Sequence, residues 1–98
     1  MLASLPRMPR LYVPVSLTLP YHYQIKVRLV TNREMLMALD EEDNKAELVD
    51  GLWDVDTRTI LIRERIPKAR QIRVFAHELR HALADWEHWL SDRFNLGP

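Results

Sequence analysis

His77, Glu78 and His81 stand in the order His-Glu-x-x-His within VFAHELRHAL, Val74 to Leu83. On an α-helix, residues four apart lie one turn apart on the same face, so the two imidazoles can converge on one metal ion. Glu78 points about 100 degrees further round the axis. That offset suits a carboxylate that must reach a water on the metal rather than the metal itself. Zinc lowers the pKa of such a water toward neutrality, and the carboxylate can take its proton as the oxygen attacks a carbonyl. The spacing therefore predicts Zn2+ as cofactor, His77 and His81 as its ligands and Glu78 as a general base. The plain alternative is a polar helix face satisfied by water and ion pairs. Arg80, charged and inside the motif, favours that alternative, whereas small Ala76 before the motif and Leu79 on the opposite, buried face favour the metal.

Such a site needs a long helix and a core to hold it. Pro67 suits the first position of a helix, and apolar residues then recur at Ile72, Phe75, Ala76, Leu79, Ala82, Leu83, Trp86 and Leu90. No glycine or proline stands between Pro67 and Gly97, so no breaker marks its end. Upstream, AELVDGLWDVD and TRTILIRERI meet at Asp56, Thr57 and Arg58 and read as a hairpin; Gly51 within it suggests a bulge or a close backbone approach. Earlier still, YQIKVRLVT alternates Ile25, Val27 and Leu29 with Lys26, Arg28 and Val30, the period of a half-buried strand. Thr31 and Glu34 are spaced as a capping box, predicting a short helix over NREMLMALDEED that buries Met35, Leu36 and Leu39. The acidic run Asp40 to Asp43 then reads as a solvated helix end. Pro6, Pro9, Pro14 and Pro20 keep the first twenty residues extended, as an edge strand or a surface arm.

The expected architecture is α+β, with a short antiparallel or mixed sheet packed on a long helix that carries the motif. Ninety-eight residues, 47% of them hydrophobic, support one domain with a modest core, divided into an extended arm over 1–20 and a core over 21–98. Fourteen basic and fourteen acidic residues cancel, so no electrostatic reason for a nucleic-acid or anionic-membrane partner exists. There is no cysteine, which excludes disulfides and thiolate metal sites and makes a cytoplasmic location the default. No apolar run has the length of a signal peptide or a membrane span.

The segment from Asp50 to Asp85, DGLWDVDTRTILIRERIPKARQIRVFAHELRHALAD, resembles the core of the zincin metallopeptidases. Its order of hairpin and then HExxH helix is similar to the ImmA/IrrE-type peptidases of bacteria and mobile elements, and HELRHALAD resembles the HELTHAVTD spelling of thermolysin-like enzymes. The resemblance covers about a third of the chain and rests on His77, Glu78 and His81. It implies a zincin-like fold, with His77 and His81 binding zinc and Glu78 acting as base. It also implies a substrate peptide added as a strand along Thr59 to Glu64. Such enzymes take a third ligand downstream, where Asp85, Glu87, His88 and Asp92 are available. The metzincin spacing would fall on Glu87, but Ala84 stands where that pattern needs a glycine. Asp85 shares the histidine face, yet on a straight helix it lies about 12 Å along the axis from His77. It then either orients His81 or faces solvent. His22 from the N-terminal arm, water or a neighbouring chain could supply the missing position.

Two functions from different classes follow. One is a zinc-dependent peptidase acting on a protein or peptide, with a regulatory peptidase of a phage or mobile element as one form. The other is a non-catalytic interaction module, or pseudo-peptidase, that holds a partner with its tryptophan-rich last helix. Trp53, Trp86 and Trp89 read first as core or interface residues. Trp86, Trp89, Leu90 and Phe94 nevertheless make a wide apolar surface through which a homo-oligomer could form. Lys68, Arg70 and Arg73 read as a solvated basic face. A likeness to SprT-type proteases of DNA-bound proteins is disfavoured by the neutral charge.

Overall fold

Alternation along Tyr23–Val30 builds the central strand. The computed structural model describes residues 12–40 and 48–95, and within them the chain forms β1 (Ser16–Leu19), a single 3-10 turn (Pro20–His22), β2 (Tyr23–Val30), α1 (Asn32–Asp40), β3 (Gly51–Asp54), β4 (Thr59–Arg63) and α2 (Lys68–Phe94). It is a small α+β fold in which one mixed sheet, ordered β1-β2-β4-β3, lies against α2. Tyr23, Ile25 and Val27 of β2 join Ile60 and Ile62 of β4, Ile66 and Ala82 in the main core. Ile25, Ile60 and Ile62 are fully excluded from solvent, each burial contributing about 1.5–3 kcal/mol.

The period slips at the end of β2. Leu29, expected on the core face, is exposed, whereas Val30 is buried on the other side of the sheet with Met35 and Leu61. The cause is α1, which closes that face at one end through Ala38 and Leu39 and so rewards burial there instead. The helix starts at the expected capping box. Glu34 N donates to Thr31 Oγ1 at 3.1 Å and Thr31 N donates to Glu34 Oε1 at 3.0 Å. The backbone amide of Thr31 first, and then its hydroxyl, hold the Glu34 carboxyl below the usual carboxylate range. Met35 is buried and Leu39 packs on the second cluster, but Leu36 is exposed, since a short helix on one end of a sheet covers only a narrow stripe. Of the acidic run, Glu41, Glu42 and Asp43 lie outside the described residues.

Of the two expectations for the proline-rich segment, edge strand or surface arm, Ser16–Leu19 takes the edge strand. β1 pairs antiparallel with β2, Ser16 opposite Lys26, and Val13, Leu17 and Leu19 pack on the main core, so the core begins before residue 21. β3 and β4 form the expected hairpin across Val55–Arg58, where the Asp54 carboxylate accepts from the amides of Asp56 and Thr57. β2 and β4 run parallel, Lys26 opposite Thr59 and Val30 opposite Arg63. β4 is therefore an interior strand, and the edge beside α2 belongs to β3. That corrects the expectation of a free edge along Thr59 to Glu64: a crossover through α1 seats β2 against it.

Helix α2 begins after Pro67, which serves as its N-cap, and runs unbroken to Phe94. It ends because Asn95 turns into the left-handed region (φ 53°, ψ 45°) and donates its amide to the Ser91 carbonyl. Asparagine is, after glycine, the residue that most readily takes that conformation. No helix among the described residues is long and apolar enough to cross a membrane.

Candidate metal centre

The sheet-facing seam of α2 is made by Gln71, Val74, Phe75, Glu78, Leu79, Ala82, Trp86 and Trp89, at alternating steps of three and four and their immediate neighbours. Glu78 sits in the middle of it, 7% exposed, while His77 and His81 stay exposed at its border. The seam approaches β3 very closely. A Cβ added at Gly51 would lie 2.3 Å from Val74 Cγ1 and 3.2 Å from Glu78 Cγ, so only glycine lets the strand rest against the helix there. The close-approach reading of Gly51 is the correct one.

Two further contacts fix the strand on the helix. Asp50, just before β3, is ion-paired to Arg63 of β4 at 3.0 Å and to Arg70 of α2 at 2.8 Å, and its carbonyl accepts from Arg63 N at 2.8 Å. On the other side of Gly51, the Trp53 indole N–H donates to the Asp85 carboxylate. The motif is thus clamped on both sides.

Within this frame the side-chain donor atoms of His77, Glu78 and His81 all lie within 4.8 Å of one another, and the two imidazole rings meet edge to face at 5.2 Å between centroids. Two ligands of one tetrahedral zinc ion, each about 2.1 Å from it, stand about 3.4 Å apart. The difference is at most about 1.4 Å, and exposed imidazoles close it by side-chain rotation. Glu78 supplies a second, independent sign of fit, for its Oε2 is buried without any hydrogen-bond partner. A buried carboxylate oxygen left unpaired is costly and calls for a proton donor or a cation beside it.

Among the described residues no further histidine, aspartate or glutamate joins the cluster. The helix runs unbroken through Asp85, whose carboxylate accepts from Trp53. Glu87, His88 and Asp92 continue along the same helix away from the motif. His22 follows the Pro20 carbonyl that accepts from Trp86 Nε1 and the Tyr21 ring stacked on Phe94, so it belongs to the distal turns of α2. Those same contacts occupy much of the apolar surface expected to be free. The Trp89 ring lies tilted against Tyr23 with 5.2 Å between centroids, and Trp86 and Trp89 pack on the main core; Phe94 stays partly exposed. Tyr23 has its phenol pushed up by burial, against the opposing pull of the Arg58 guanidinium 4.0 Å from its ring centroid.

A groove of about 470 Å3 opens beside the motif, lined by Val49, Asp50, Gly51, Arg70, Arg73, Val74, His77 and Glu78. The basic face at the start of α2 is therefore not simply solvated. Arg70 is held by Asp50, and Arg73 lines the groove. Neither role was legible from spacing, because Asp50 is distant in sequence from Arg70 and Arg73. Comparison with family models, with curated relatives and with solved structures returns no match for the chain.

Proposed function

We propose that this chain is a zinc-dependent peptidase with a zincin-like site at the middle of α2. The observation that carries the reading is the convergence of His77, Glu78 and His81 with one Glu78 oxygen buried and unpartnered. His77 and His81 would hold the ion by their imidazole nitrogens. Bound zinc supplies Lewis acidity toward a peptide carbonyl and toward water. Glu78 takes the proton of the attacking water on its carboxylate and returns it to the departing amine nitrogen. Its burial between the helix and Gly51 fixes the carboxylate and excludes competing solvent. The edge of β3, Gly51–Asp54, offers backbone groups beside the groove onto which an extended peptide can add as a strand.

The interaction-module reading is weaker, because Trp86 and Trp89 already serve the chain's own core and N-terminal segment. Metal content separates the two. Protein reloaded with zinc and washed is expected to retain about one ion per chain, lost when His77 and His81 are both alanine. Glu78→Gln is expected to keep the metal and lose hydrolysis by orders of magnitude. Unsubstituted protein that retains no metal, or a Glu78→Gln variant as active as the parent, ends the peptidase reading.

A further inference from the structure

The groove beside the motif is not symmetric in charge. Toward the start of α2 it is lined by two guanidinium groups, Arg70 and Arg73, and one carboxylate, Asp50. Asp50 is shared by Arg63 at 3.0 Å and Arg70 at 2.8 Å. Arg73 has no carboxylate partner among the described residues, and it lines the groove one helical turn before His77. A guanidinium there presents a planar fork of donors suited to a carboxylate.

We propose that Arg73 is a specificity residue that binds a carboxylate of the peptide lying in this groove. The inference rests on the peptidase reading above and names its substrate class. Four residues of helix separate Arg73 from His77 by about 6 Å of rise, and an extended peptide advances about 3.3 Å per residue. The recognised carboxylate therefore lies about two residues from the bond that would be held beside His77 and His81. It is either an acidic side chain at that spacing or the chain's own C-terminal carboxylate, in which case a short C-terminal fragment is released. Asp50 serves this arrangement indirectly: it holds Arg70, and among the described residues Arg73 is the groove's guanidinium without a carboxylate partner.

The test is cleavage of a degenerate peptide library by the zinc-loaded full chain, with products identified by mass spectrometry. The library is made in three forms: acidic residues present and C-terminus amidated, acidic residues absent and C-terminus free, and acidic residues absent with C-terminus amidated. One of the first two is expected to be cleaved about tenfold or more better than the third, in line with a charged hydrogen-bonded contact. Which of them wins identifies the source of the carboxylate. Arg73→Gln is expected to remove that preference by raising KM with kcat unchanged, and to leave the neutral form untouched; Arg73→Lys keeps part of it. Arg73 is exposed, so neither variant threatens folding. Equal cleavage of all three forms, or an equal loss on all three in Arg73→Gln, overturns the inference and leaves the peptidase reading standing. Zinc-loaded protein that cleaves none of them overturns both.

Discussion

Replacing Gly51 by alanine adds one methyl group at the tightest point of the molecule. The new Cβ would lie 2.3 Å from Val74 Cγ1, whereas carbon atoms in contact settle at about 3.5–4.0 Å. Valine has one rotatable side-chain bond and a strong preference in a helix, so it cannot swing clear cheaply. The strand or the helix must shift by about 1 Å. Overpacking of this kind costs about 1–3 kcal/mol. Against it stands the gain from a less flexible unfolded chain, about 0.4–1 kcal/mol for Gly→Ala where φ is ordinary, as it is here. Overpacking wins, and Gly51→Ala is expected to lose about 1–2 kcal/mol, or about 4–16 °C in Tm for a domain this small. Thermal unfolding followed by circular dichroism measures it. The sharper measurement is the double variant with Val74→Ala, which removes the opposing methyl: stability should return in part, with a coupling of about 1 kcal/mol of rescuing sign. A Gly51→Ala chain as stable as the parent, or strictly additive costs in the pair, would refute the close approach of β3 to the motif.

Trp53→Phe should cost about 1–3 kcal/mol, because it leaves the partly buried Asp85 carboxylate without its donor; an unchanged urea midpoint would show that the contact contributes nothing. Thr31→Ala should lose about 1 kcal/mol with the cap of α1, measured the same way. The Glu34 carboxyl has a lowered pKa in the folded chain, so its stabilising effect is present above the unfolded carboxylate pKa and fades as pH falls through the lowered one. Carbon NMR titration of that carboxyl checks the sign, and a midpoint at the ordinary value would contradict it. Zinc held by two imidazoles should be stripped by mild chelators, and its affinity should rise with protein concentration if a neighbouring chain completes the site; zinc titration at several protein concentrations reads this directly.

What was legible in the sequence is what neighbouring residues decide among themselves. The capping box at Thr31 and Glu34, the hairpin turning at Asp54–Arg58 and the long helix through His77 and His81 each follow from residues a few positions apart, and each is present. The crowding at Gly51 was half legible, since a glycine inside a strand marks a bulge or a near neighbour without saying which. Partners distant in the chain were not legible. Nothing local in TILIR tells that β2 lies beside it, and the strand that the resemblance implies as an edge is an interior one. Nothing local in Asp50, Arg70 or Asp85 reveals their pairing with residues on other elements. Leu29 and Val30 show the same limit, because which of them is buried depends on where α1 lands.

The parallel pairing of β2 with β4 also shapes how the chain reaches this state. The hairpin and α2 are built from contacts close in sequence, but Lys26 must find Thr59 across the whole of α1 and the segment that follows it. Closing that loop is an entropic barrier that local contacts do not lower, so it is the slow step expected in folding. Until it closes, Ile60, Leu61 and Ile62 present an uncovered row of amides and carbonyls with apolar side chains, a template for pairing with other molecules. Arg63 stands directly after that run and Arg58 two residues before it. Charges so placed repel a second copy of the same segment, and they guard the strand during the interval in which the fold cannot yet cover it.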